Sequence, residues 1–156
     1  MKKIRNKGLE AIHARAEDLI KNNISADLFL SFETLEHLSD PIRFLYNLSK
    51  YSDCKKLVIT VPYRSESRVA LQYIREGNLQ KVGAETTHIF EFNPDDWKLL
   101  FKHAGWKIDY EQIYYQYPFK HWLRITKSIW KKNDFEGFYG AVLSPDNRWC
   151  DTYTDW

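Results

Sequence analysis

Acidic and imidazole side chains follow a short apolar run within residues 27–41. The run, residues 28–32, has the length and composition of a strand that is buried on both faces. Glu33, Glu36 and His37 come directly after it, and residues three and four positions apart share one face of a helical turn. Two carboxylates and an imidazole would then converge at the carboxyl end of a strand, where open α/β sheets bind ligands. The sequence therefore predicts a functional site here.

Helix and strand signals on either side place this site in a mixed α/β domain. Asp40-Pro41 and Asn93-Pro94 each join an N-cap residue to a proline suited to the first turn, so each predicts a helix start. The first helix extends to about Tyr51, and Gly105 ends the second. Residues 63–87 are predicted to be a substrate-facing insertion, in which Val69, Leu71, Tyr73 and Ile74 suggest a helix. The predicted strands are 9–14, 27–32, 56–62, 106–116 and 136–143, and further helical segments are 16–22 and 118–132.

Composition limits the class of protein. A chain of 156 residues is long enough for one domain with a sizeable core, so residues 1–156 are predicted to form a single domain. Lys and Arg total 23 against 21 Asp and Glu, a near balance that argues against a dedicated nucleic-acid binder. Cys54 and Cys150 lack metal-ligand spacing, and neither a signal peptide nor a membrane-spanning stretch is visible. We expect a reduced, cytoplasmic protein with no stable membrane insertion.

Three motifs, in this order, resemble those of class I S-adenosylmethionine-dependent methyltransferases of the type 11 or type 23 kind. They are Asp27–Leu38, Leu57–Pro62, and His88–Trp97 followed by Ala104-Gly105-Trp106. The resemblance covers roughly residues 5–143. It implies an α/β fold with a Rossmann-like sheet, helices on both faces, and a last strand that inserts antiparallel beside the fifth. The five predicted strands would correspond to strands three to seven of the family.

The sequence departs from the family in its cofactor-binding half. The family holds its cofactor with a glycine-rich loop after the first strand, and the six glycines of this chain form no Gly-x-Gly sequence. The chain therefore resembles a truncated methyltransferase, the C-terminal two-thirds of the fold. Without strands one and two, strand 27–32 would keep an open edge, which proteins seldom leave bare. Either residues 9–14 or a second copy of the chain would cover it.

The resemblance also implies roles for the polar residues. Some family members, including ubiquinone-pathway and small-RNA 2′-O-methyltransferases, carry Glu-x-x-Glu-His after the fourth strand, with a distant histidine, and bind a divalent ion there. The matching ligands of an ion such as Mg²⁺ are Glu33, Glu36, His37 and His88. Glu36, His37 and His88 would be catalytic. The alternatives are a structural hydrogen bond or a general base for the Glu-His pair, and a structural role for His88.

Cofactor residues and overall function follow from the same resemblance. Ser31, Phe32 and Glu33 would border the S-adenosylmethionine pocket. The function implied is S-adenosylmethionine-dependent O-methyl transfer to a small molecule. Because the glycine-rich loop is missing, two alternatives stay open. The chain could be a catalytically inactive, methyltransferase-like binding or assembly module, or a fragment of a longer active enzyme.

Overall fold

The computed structural model describes residues 4, 6–22, 24–70, 76–77, 81, 87–115, 125–126, 128–129 and 137–153. Their strands are β1 (Leu28–Phe32), β2 (Lys56–Pro62), β3 (Arg68–Val69), β4 (Phe90–Glu91), β5 (Trp106–Tyr115) and β6 (Gly137–Pro145). The helices are α1 (Pro41–Tyr51) and α2 (Pro94–His103), together with 3-10 helices at Ala16–Asn22, Leu35–His37 and Cys150–Thr152.

A four-stranded sheet in the order β1-β2-β6-β5 organises the described part of the chain. β1 and β2 are parallel, whereas β6 inserts antiparallel between β2 and β5. At the centre of the sheet, Ile59 of β2 lies between Ser31 of β1 and Ala141 of β6. This arrangement confirms the predicted α/β class and the antiparallel insertion of the last strand.

Both predicted helix starts are confirmed by their caps. The Asp40 side chain accepts a hydrogen bond from the backbone N–H of Arg43 at 2.9 Å, and the Asn93 side chain accepts one from Asp96 at 2.8 Å. Each bond satisfies an N–H that has no partner within its own helix. Gly105 follows α2 with a φ of 88°, a left-handed conformation that favours glycine and turns the chain into β5.

One hydrophobic core joins the sheet to α1 and α2. Alternate residues of β2 and β6 point to the same face of the sheet, and on that face they are buried. The two helices contact each other there, and the Trp106 indole donates a hydrogen bond to the Leu45 carbonyl at 2.9 Å. The residues of this core that are fully buried include Leu35, Leu45, Leu57, Ile59, Val61, Trp97, Phe101 and Leu143.

Some predicted elements differ from the structure. Residues 9–14 form no strand, because Glu10 and His13 interrupt the apolar pattern and no neighbouring strand pairs with them. Among the described residues, the first strand of the sheet is therefore β1. Val69, the first residue of the helix predicted in the insertion, lies in β3 instead, and residues 71, 73 and 74 lie outside the described residues. Most of the predicted helix 118–132 lies outside the described residues, so a helical layer on the second face of the sheet stays a prediction.

Within the described residues, no helix combines the length and apolar character needed to cross a membrane.

Candidate active site

The site begins where β1 ends. The backbone N–H of Glu33 donates to the Thr60 carbonyl at 2.9 Å, which extends the parallel pairing by one residue. Glu33 has a φ of 48°, and among the described residues it is the one non-glycine residue with a positive φ. A left-handed residue of this kind costs roughly 1–3 kcal/mol and is typical of functional sites. Glu33 ends the extended backbone of β1, and the 3-10 helix Leu35–His37 follows it.

The 3-10 helix buries a carboxylate. Leu35 and Glu36 both have 0% exposure, because the apolar Leu35 anchors this short turn in the core. Neither carboxylate oxygen of Glu36 has a hydrogen-bond partner among the described residues. Burial raises the pKa of Glu36 to about 7, and the negative charge of Glu33 acts in the same direction.

Contacts to the backbone bring His88 to this turn from a distant segment, in which Thr87 is 50 residues beyond His37. The N–H of Ile89 donates to the Glu36 carbonyl at 2.7 Å, and Nδ1 of His37 donates to the Thr87 carbonyl at 3.1 Å. His88 lies between these two anchors, and its ring meets that of His37 edge to face, with the centroids 4.9 Å apart. The predicted catalytic residues Glu36, His37 and His88 therefore lie together.

The possible ligand atoms of Glu36, His37 and His88 lie close enough together to hold one metal ion. One ligand atom from each of Glu36, His37 and His88 lies within 4.8 Å of the others, and His37 Nε2 is 3.6 Å from Glu36 Oε1. Nδ1 of His88 is engaged by Glu91 at 3.1 Å, as Nδ1 of His37 is by a carbonyl. A histidine held through Nδ1 presents Nε2 to a ligand, the usual arrangement at metal centres.

Glu33, the fourth predicted ligand, lies beside this group rather than within it. Burial raises the pKa of Glu33, while a hydrogen bond with Thr60 and the two histidines oppose the shift. Its Oε1 is buried without a described partner. Glu33 is thus close enough to interact electrostatically with both imidazoles.

A cleft of about 680 Å³ adjoins the site. Its walls include Glu33 and His37 on one side, and Arg15, Glu17 and Ser39 on another. This volume lies within the range of small-molecule sites. On this other wall, Ser39 donates to Glu17 at 3.1 Å and Arg15 donates to Ser39 at 3.3 Å.

The three residues predicted to border the cofactor pocket lie in three different surroundings. Glu33 lines the cleft, whereas Ser31 points into the buried side of the sheet, with a hydroxyl that has no described partner. Phe32 is 53% exposed on the opposite face, because consecutive strand residues alternate between faces. The pocket-bordering roles of Ser31 and Phe32 stay predictions.

Sequence analysis did not identify Glu91, whose carboxylate contacts His88 of the site. Glu91 accepts hydrogen bonds from Arg68 Nε at 2.6 Å and from His88 Nδ1 at 3.1 Å, and Arg64 lies at 3.9 Å. Burial opposes its charge, but these hydrogen bonds and cations outweigh burial and lower the pKa of Glu91. No sequence signal identified it, because extended residues three apart normally point to opposite faces.

The sheet order, with polar residues gathered beyond the carboxyl end of its parallel strands, is that of a Rossmann-like α/β fold. Neither a protein-family model nor a curated protein matches the sequence. Solved structures do match. The [4+2]-cyclase SpnF has a TM-score of 0.60 at 12% identity, covering 93% of this chain and 61% of SpnF.

Two further solved structures share the fold. BH2331 from Bacillus halodurans, described as a candidate methyltransferase, has a TM-score of 0.52 at 12% identity, covering 91% of this chain and 73% of that protein. The small RNA methyltransferase HEN1 has a TM-score of 0.50 at 11% identity, covering 85% of this chain and 15% of HEN1. The chain spans 54% and 61% of the first two matched structures. At such identities the likeness establishes the fold alone.

Proposed function

We propose that the chain forms the acceptor-activating site of an S-adenosylmethionine-dependent methyltransferase that methylates a hydroxyl group of a small molecule. The observation that carries the proposal is the Glu36 carboxylate, which is fully buried, has no described hydrogen-bond partner and lies beside two imidazoles. A buried carboxylate without a hydrogen-bond partner is costly, and groups of this kind concentrate at functional sites.

The residues present fit a divalent ion. Those that would hold it are Glu33, Glu36, His37 and His88. When bound, such an ion would lower the pKa of a substrate hydroxyl and so favour a nucleophilic oxygen at neutral pH. Mixed carboxylate and imidazole donors suit Mg²⁺, Mn²⁺ and Zn²⁺, so the donor set does not identify which of these ions would bind.

The side chains themselves supply orientation and a proton acceptor. The Thr87 carbonyl and Glu91 fix the rings of His37 and His88 through Nδ1. Glu36, with a pKa of about 7, can accept a proton near neutral pH, and His37, whose Nε2 lies 3.6 Å from Glu36 Oε1, lines the cleft beside it. The adjoining cleft would hold the reactants in line, and methyl transfer gains most of its rate from such positioning.

The ion site is tested by metal titration. Calorimetry with Mn²⁺, Mg²⁺ and Zn²⁺ is expected to detect one site in the wild type, and Glu36→Gln and His88→Ala are each expected to weaken it by at least tenfold. His13→Ala is the matched control, because His13 is exposed and lies outside the site. Equal affinities in all four proteins would refute the ion site.

Methyl transfer needs a separate test. S-adenosylmethionine carrying a labelled methyl group would be incubated with a catechol and, because HEN1 is a small RNA methyltransferase, with a short RNA. We expect label on the catechol and its loss when EDTA is present. No calorimetric heat at millimolar S-adenosylmethionine would refute the enzyme proposal for this chain, whatever the metal titration gives.

A non-catalytic binding or assembly module is the second candidate function. It is favoured by the absence of a Gly-x-Gly sequence from the chain and by the apolar, exposed side chains of β1. The fold is also compatible with other chemistry, since SpnF is named as a cyclase. Metal binding without cofactor binding would support this candidate.

A further inference from the structure

A short two-stranded ribbon, formed by β3 and β4, carries the side chains that contact His88. Arg68 of β3 lies directly opposite Glu91 of β4, and its Nε donates a hydrogen bond to Glu91 Oε2 at 2.6 Å. The other oxygen of the same carboxylate, Oε1, is 3.1 Å from Nδ1 of His88. The Glu91 carboxylate therefore joins Arg68 to His88, because each of its oxygens contacts one of these two side chains.

The backbone of this ribbon is fixed without the Arg68 side chain. On one side of Arg68, the hydroxyl of Ser67 accepts a hydrogen bond from the Asn93 N–H at 2.8 Å. On the other side, the Ala70 N–H donates to the Ile89 carbonyl at 2.9 Å, and the Ile89 N–H donates in turn to a carbonyl of the 3-10 helix in the site. We therefore expect the ribbon to keep its place when Arg68 loses its guanidinium group.

The orientation of the Glu91 carboxylate, in contrast, depends on its partners. The ring of Phe92 packs on that of the buried Trp97, with the centroids 5.1 Å apart, and this contact fixes the backbone next to Glu91. A glutamate side chain still rotates about several bonds, so a fixed backbone leaves the direction of the carboxylate open. Among the described residues, the side chains that donate hydrogen bonds to Glu91 are those of Arg68 and His88. Since His88 is the ring to be oriented, Arg68 is the group that fixes the carboxylate.

We propose that Arg68 is a positioning residue of the candidate site, which acts through Glu91 to hold the His88 ring with its Nε2 left to bind the ion. The inference rests on the ion site proposed above and adds to it a residue that does not contact the ion. A carboxylate accepts hydrogen bonds and donates none, so His88 carries its proton on Nδ1 and keeps Nε2 as the ligand atom. The Arg68 side chain is about half exposed and lies outside the hydrophobic core.

NMR of the ring nitrogens of His88 tests this inference in the metal-free protein. In EDTA at about pH 8, above the ordinary pKa of histidine, the wild type should show one tautomer, with the proton on Nδ1. Arg68→Met, which has no donor, should show signals averaged between the two tautomers. Arg68→Lys keeps a cation for Glu91 and should restore the wild-type signals. Unchanged His88 signals in Arg68→Met would overturn the proposal.

Arg64→Met is the matched control, because it removes the same charge near the same carboxylate. Arg64 Nε is 3.9 Å from Glu91 Oε2, which is beyond hydrogen-bond distance. Its replacement should leave the His88 signals unchanged. An equal effect of Arg64→Met and Arg68→Met would mean that net charge, rather than the hydrogen bond from Arg68, sets the His88 tautomer, and the positioning role would be wrong.

Amide hydrogen exchange verifies that the ribbon stays folded in the variants. The amides of Ala70 and Ile89 form the hydrogen bonds that hold the ribbon, so both should exchange slowly in Arg68→Met as in the wild type. Fast exchange at both amides in Arg68→Met would show that Arg68 holds the backbone rather than the Glu91 carboxylate. That result, too, would contradict the proposal.

Calorimetry with Mn²⁺ separates this inference from the proposed function. Arg68→Met should bind Mn²⁺ about tenfold more weakly than the wild type, the lower end of the effect expected for groups that orient metal ligands, and Arg68→Lys should recover most of the affinity. Equal affinities in Arg68→Met and the wild type would count against the role of Arg68. If the wild type itself binds no Mn²⁺, the ion site fails, whereas the His88 signals still decide whether Arg68 positions the ring.

Discussion

Replacing Glu36 with glutamine should stabilise the metal-free protein above neutral pH. Burial raises the pKa of Glu36 to about 7 from an ordinary value of 4.5. The difference of about 2.5 pH units corresponds to roughly 3 kcal/mol of folding free energy at 1.36 kcal/mol per pH unit. Between pH 4.5 and 7 the folded state binds more protons than the unfolded state. The free energy of unfolding therefore falls as the pH rises from 4.5 to 7, and it stays at the lower value above pH 7.

Urea or thermal unfolding in EDTA measures this effect. The wild type is expected to lose up to about 3 kcal/mol between pH 4.5 and 8 from this group, whereas Glu36→Gln should lose little from it. At pH 8 the variant should be more stable by about 2–3 kcal/mol, or about 4–12 °C in Tm for a domain of this size. Glu10→Gln is the matched control, because Glu10 is exposed and lies outside the site.

A Glu36→Gln protein that is less stable than the wild type at pH 8 in EDTA would refute this reasoning. Such a result would mean that other groups of the folded protein already stabilise the charged Glu36 carboxylate. Adding Mn²⁺ at about 100 times its dissociation constant should stabilise the wild type by about 2.7 kcal/mol. The variant should gain less from Mn²⁺, because it lacks the Glu36 carboxylate.

The remaining predictions concern the residues that support the site and the fold. Glu91→Gln should weaken Mn²⁺ binding by about 10- to 100-fold in the same titration, because His88 loses the carboxylate that orients it. Gly105→Ala should cost about 2–4 kcal/mol in urea unfolding, since φ is 88° and a Cβ would meet two side chains at 2.7 Å. Gly77→Ala, with positive φ but open space, should cost only about 1 kcal/mol. Asn93→Ala should cost about 1 kcal/mol through loss of the α2 cap, measured in the same way.

Local chemistry explains which elements could be predicted. β2 occupies its predicted residues, and α1 and α2 start at their predicted caps, because apolar runs and Asx-Pro pairs act within a few residues. The strand predicted at residues 9–14 does not form, because a strand depends on more than the residues within it. A strand needs a neighbour to satisfy its backbone, and a sequence pattern cannot supply one.

The sequence by itself determined the acidic and imidazole cluster after β1, since Glu33, Glu36 and His37 are neighbours along the chain. Only the tertiary structure decided that Glu36 is fully buried and that Glu91 holds His88 beside it. Burial and long-range pairing depend on how distant segments pack, and the bond from Ile89 to Glu36 joins two such segments. The pKa of Glu36 follows from that packing, because desolvation is a property of the folded surroundings rather than of the residue.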